Sequence, residues 1–114
     1  MLAVIFEVLL AEGKREEYLD IATTLRQHLK DVEGFISIER FKSLSEEGKI
    51  LSLSYWKDES SIQNWRNLEA HRSAQKKGRS NIFADYRLRV CEVVRDYSMT
   101  NREGAPADSK EIHI

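Results

Sequence analysis

The segment from Leu2 to Leu10 is apolar at every position except Glu7 and is rich in β-branched and aromatic side chains. It is too short for a free-standing helix, so it predicts a strand with both faces buried. A chain built on such a strand needs cover on each side. Leu2, Val4, Phe6 and Val8 alternate with Ala3, Ile5 and Leu9, so both faces are apolar.

The rest of the chain supplies the cover. Tyr18, Ile21, Ala22, Leu25 and Leu29 recur at helical spacing in a segment that Gly34 can close. Phe35, Ile36, Ile38 and Phe41, then Ile50, Leu51, Leu53, Tyr55 and Trp56, are two extended runs joined by the polar turn Ser45 to Gly48. They predict a β-hairpin. Asp58 precedes Glu59 and the stripe Ile62, Trp65, Leu68, which predicts a capped second helix running to Gly78. Asn81 to Tyr86 reads as a short helical turn, and Leu88 to Tyr97 as the last strand.

The order β, α, β, β, α, β predicts an α+β ferredoxin-like fold: a four-stranded antiparallel sheet with both helices on one face. Val4, Phe6 and Val8, with the last strand, then leave apolar surface that one subunit cannot cover. A symmetric homodimer is expected, the two subunits forming a dimeric α+β barrel. Residues 1–98 are expected to form the domain. Residues 99–114, whose composition shifts to Asn101, Arg102, Glu103, Gly104, Ala105, Pro106, are expected to be a flexible tail or an arm on the partner.

Composition narrows the function. A length of 114 residues suits one domain. With 18 Lys and Arg against 19 Asp and Glu, the net charge of −1 gives no reason to expect nucleic acid or an anionic membrane as partner. No apolar run reaches the roughly 18 residues of a membrane span. Met1 to Leu10 lacks the basic start of a signal peptide. The single cysteine, Cys91, excludes an intrachain disulfide, and the expected location is the cytoplasm.

Candidate site residues gather between Leu51 and Tyr97, where Trp56, Trp65, His71, Tyr86, Arg95 and Tyr97 lie in one strand-helix-strand unit. Trp65 belongs to the Ile62 and Leu68 stripe and must face the sheet, either as core or as a cavity wall. His71 falls beside that stripe, where an imidazole can accept a phenolic proton or ligate iron; a helix-end histidine bonded to backbone is the plainer account. Tyr86 can orient a ligand, or simply pair with a neighbouring charge. His28 suits the negative end of the first helix dipole. No metal motif, paired cysteines, nucleophile elbow or dinucleotide fingerprint is present, so neither metal nor cofactor is expected.

The segments Gly34-Phe35, Leu51 to Asp58, Trp65-Arg66, His71-Arg72, Gly78-Arg79, Asp85-Tyr86 and Arg95-Asp96-Tyr97 resemble the antibiotic biosynthesis monooxygenase domain family over roughly Met1 to Tyr97. The resemblance implies a dimeric α+β barrel and admits three activities: cofactor-independent oxygenation of phenols, haem degradation, or ligand binding without turnover. In the haem-degrading branch Trp65 matches the helix tryptophan. Phe6 or Glu7 stands where an asparagine is required, and the histidine position falls nearer Gln75 than His71. In the phenol-oxygenating branch Trp65 again fits and Tyr86 stands near a substrate hydroxyl. The leading expectation is a monooxygenase for a small aromatic, phenolic or quinol-type substrate, with His71, Trp65 and Tyr86 as its site. The alternatives are a haem-binding or haem-degrading protein and a non-catalytic dimer that binds a small apolar ligand.

Overall fold

A computed structural model describes residues 1–77 and 81–110, without the side chains of residues 69, 70 and 75. Its elements are β1 (Leu2–Leu10), α1 (Arg15–Leu29), β2 (Phe35–Lys42), β3 (Lys49–Trp56), α2 (Glu59–Arg66), α3 (Glu69–Lys77) and β4 (Phe83–Glu92). The strands form one antiparallel sheet in the order β2-β3-β1-β4, with the apolar β1 inside it. This is the expected ferredoxin-like α+β arrangement, with three helices among the described residues where two were expected.

Strand parity divides the sheet into two unlike faces. Leu2, Val4, Phe6 and Val8 lie under the helices in two clusters. One joins Val8, Tyr18, Ile50 and Ile82, and the other joins Leu29, Trp56, Ile62 and Trp65. Trp56 is only 2% exposed, and its indole nitrogen donates to Ser54 Oγ at 2.9 Å. The helix-free face carries Ala3, Ile5, Leu51, Leu53 and Tyr55, so the uncovered surface expected of Val4, Phe6 and Val8 belongs to the alternate residues instead. Glu7, the lone charge in β1, points to this open face. There it meets Lys49 at 3.8 Å and Arg89 at 3.6 Å, partners supplied by the strands on either side.

Two expectations need correction. The last strand runs from Phe83 to Glu92, not from Leu88 to Tyr97, and only the start of Asn81 to Tyr86 is helical. The β1 ladder captures this segment: Val8 pairs with Tyr86 and Leu10 with Phe83, while Phe83 packs edge-on against Phe6. At the far end the last bond of this ladder runs from Val93 N to Met1 O. The second helix, expected to be continuous, breaks at Asn67 and Leu68 into α2 and α3. Asn67 caps α2 with its backbone N–H on Gln63 O at 3.0 Å, and its side-chain oxygen accepts from Arg72. Its amide favours such local bonding over helix continuation. The expected stop at Gly78 lies outside the described residues, as do Arg79 and the end of the tail, including His113. Before that end, Arg102 lies 5.2 Å over the Tyr97 ring and donates to the Lys110 carbonyl at 3.1 Å.

Candidate active site

The helices do not seal against the sheet. A cavity of about 210 Å³ remains between them, floored by Val4, Phe6, Ile38, Arg40, Ser52 and Ser54 and roofed by residues of α1, α2 and α3. On β4, Phe83 packs against Tyr18 of α1 at 6.1 Å, whereas Tyr86, Leu88 and Val90 line the cavity yet stay 46%, 49% and 43% exposed, at its mouth.

The position of α2 is set by its first turn. Asp58 caps it, accepting from Ser61 N at 2.9 Å and Ser61 Oγ at 2.8 Å, and these bonds hold its carboxyl below the usual range. Lys57 N donates to Gly34 O at 2.8 Å, tying the start of α2 to the end of the α1–β2 turn. Ile62 and Trp65, one turn apart, then face the sheet, and Trp65 is 9% exposed at 6.5 Å from Trp56.

The helix break positions the histidine. On a continuous helix Trp65 and His71 would stand about 120° apart around the axis and about 9 Å along it. The turn at Asn67 brings their rings to 4.8 Å. His71 is half-buried, and its Nδ1 is buried without a well-formed hydrogen bond. Desolvation lowers its pKa below the ordinary 6.5. The Arg66 backbone opposes this, and the charges of Arg72 and Arg66 add to the lowering. The imidazole is therefore neutral near pH 7.

Trp65, His71 and Tyr86, the three expected site residues, all line this one cavity. They are not equally close. Trp65 and His71 touch, whereas Tyr86 belongs to a second aromatic group, at 5.8 Å from Phe6 and 5.9 Å from Phe83. The sheet rows of Trp56 and Tyr86 are those of Leu2 and Val8, roughly 20 Å apart along β1. Arg95 and Tyr97 lie outside the cavity, and the side chain of Gln75 lies outside the described residues. His28 is exposed on α1, as its position near the helix end suggested.

Four polar lining residues were missed by sequence reasoning: Arg40, Ser52, Ser54 and Arg66. Arg40 had a readable signal. It stands two residues after the inward Ile38, the parity that turns a strand residue to the core. Among the described residues no group of three or more His, Cys, Asp and Glu is placed to hold a metal ion, and no helix is long and apolar enough to cross a membrane.

Comparison with known proteins agrees with this architecture. The antibiotic biosynthesis monooxygenase family matches residues 1–77. A jasmonate monooxygenase of Pyricularia oryzae is 48% identical over 93 residues, which is 82% of this chain but only 43% of that protein. The chain thus spans less than half the length of that relative. The uncharacterised protein YqjZ of Bacillus subtilis is 31% identical over 93 residues, covering 82% of this chain and 79% of its own. In fold, Rv0793 of Mycobacterium tuberculosis superposes with a TM-score of 0.76 at 11% identity, over 85% of this chain and 98% of that one. This chain belongs to the antibiotic biosynthesis monooxygenase family.

Proposed function

We propose that the chain is a cofactor-independent monooxygenase acting, as a homodimer, on a small phenolic or quinol-type aromatic substrate in the helix–sheet cavity. The observation that carries this reading is His71: an imidazole kept neutral by burial and set against Trp65 in the lining of an apolar cavity. That is the equipment of a proton acceptor in a site that needs few protein groups.

The reaction balances without an external reductant. His71 takes the phenolic proton, and the electron-rich phenolate transfers electrons to O₂. One oxygen atom becomes the new carbonyl of a quinone, and the other leaves as water together with the two hydrogens that the ring loses. Trp65 provides a flat apolar wall beside His71, the apolar lining shields the substrate, and Tyr86 at the mouth guides it in. The name of the Pyricularia relative, jasmonate monooxygenase, supports oxygenation of a small organic molecule within this sequence family. A cavity of about 210 Å³ favours such a molecule over haem.

Oxygen-electrode assays on a panel of hydroquinones and naphthols test the proposal. His71→Ala should retain the fold by circular dichroism and lower oxygen uptake by about 10² to 10⁴. Trp65→Phe should act mainly through KM. No uptake by the unaltered protein on any panel member rejects the reading, and a Soret shift on haemin addition that His71→Ala abolishes would put the haem alternative in its place.

A further inference from the structure

We infer that the ligand of this cavity carries a carboxylate, and that Arg40 binds it. The inference deepens the reading above, resting on the same cavity as the substrate site but not on oxygenation.

Arg40 lies on the inward face of β2, and its Nε is buried with no hydrogen-bond partner. A guanidinium is always charged, so its partial burial in a cavity without an acidic partner has a cost that a bound anion offsets. No acidic side chain is found among the described residues lining the cavity, so the protein supplies no counter-charge from within it. The β2–β3 ladder sets Ser52 beside Arg40, buried and lining the same cavity. The neighbouring Ser54 hydroxyl is already engaged by Trp56. Arg66 adds a second guanidinium to the lining from the roof.

The chemistry of the donors selects the anion. A guanidinium presents parallel pairs of N–H groups at the spacing of the two oxygens of a carboxylate. Ser52 can donate a third bond to the same group. The remaining lining is apolar and aromatic, so the body attached to the carboxylate must be apolar as well. The matching ligand class is a small aromatic or alicyclic carboxylic acid, held at one end by Arg40 while its reactive part lies toward Trp65 and His71.

Calorimetric titration of 6-hydroxy-2-naphthoate and its methyl ester into the full chain tests this without reading turnover. The acid should bind about 10- to 100-fold more tightly than the ester, as a charge-assisted pair requires. Arg40→Met should bring the two affinities to within about threefold by loss of acid binding, Arg40→Lys should keep part of the preference, and Arg66→Met should keep most of it. Equal affinities in the unaltered protein, no binding of either probe, or a preference that survives Arg40→Met would each overturn the inference. If Arg40→Met fails to fold, Arg40→Lys decides: a preference as large as the unaltered protein's would overturn the assignment to the guanidinium fork. The two proposals fail separately. Oxygen uptake on neutral quinols without acid-selective binding refutes only this one, and acid-selective binding without uptake on any quinol or naphthol refutes only the oxygenase reading.

Discussion

His71 shows how a single side chain ties the site to stability. Its folded pKa lies below 6.5, mainly through desolvation, so the unfolded chain binds the proton more readily than the folded one. The stability it contributes is complete above pH 6.5 and is lost as the pH falls through the folded value. Urea midpoints should therefore drop between about pH 7.5 and about pH 5, and His71→Asn should shrink that drop. An unchanged pH dependence in the variant would show that the imidazole titrates as it does in the unfolded chain. Trp65 was legible in the sequence because it sits on a helical stripe with Ile62. The contact of His71 with Trp65 was not, since it depends on a helix break at Asn67 that periodicity does not register. Arg40 was passed over because a cation in a hairpin strand is ordinarily read as solvent-facing, and only the parity with Ile38 argues otherwise.

At the scale of elements, the site depends on how α2 is fixed to the sheet. Gly34 has φ of +86°, and a Cβ there would stand 2.7 Å from Ser61 Cβ, inside the first turn of α2. Glycine is required twice over, for the left-handed backbone and for the close approach. Gly34→Ala should cost roughly 2–4 kcal/mol and lower the thermal midpoint accordingly. A second change, Asp58→Ala, should also lower the midpoint by removing the cap on Ser61. The role of Asp58 as a cap could be read from sequence, because it is local chemistry, whereas Gly34, expected to close the first helix, stands in the turn into β2, beyond the C-cap Lys30. The limits of β4 could not. The Asn81 to Tyr86 pattern carries a weak helical signal, and pairing with β1, a contact distant in sequence, overrides it.

Across the whole molecule the element order alone was enough to reach the ferredoxin-like sheet, since few topologies accommodate two crossovers around a doubly apolar strand. What covers the open face is a question of assembly. Ile5, Leu51, Leu53 and Tyr55 share that face, Phe41 beside them is 44% exposed, and the Glu7 ion pairs are solvent-screened contacts that contribute little. A second copy meeting this face would bury the apolar stripe of both subunits through one self-complementary contact. Sedimentation equilibrium at micromolar concentration should give a particle of twice the 13.3 kDa subunit mass. Leu53→Glu, placed in the middle of the face and away from the cavity, should shift it toward the subunit mass. Val90→Asp should not act in the same way, because Val90 pairs with Val4 on the helix side and lines the cavity mouth. A folded monomer from the unaltered chain would refute the dimer. A dimer that survives Leu53→Glu but is split by Val90→Asp would move the interface to the mouth of the cavity, where the partner would close the site itself.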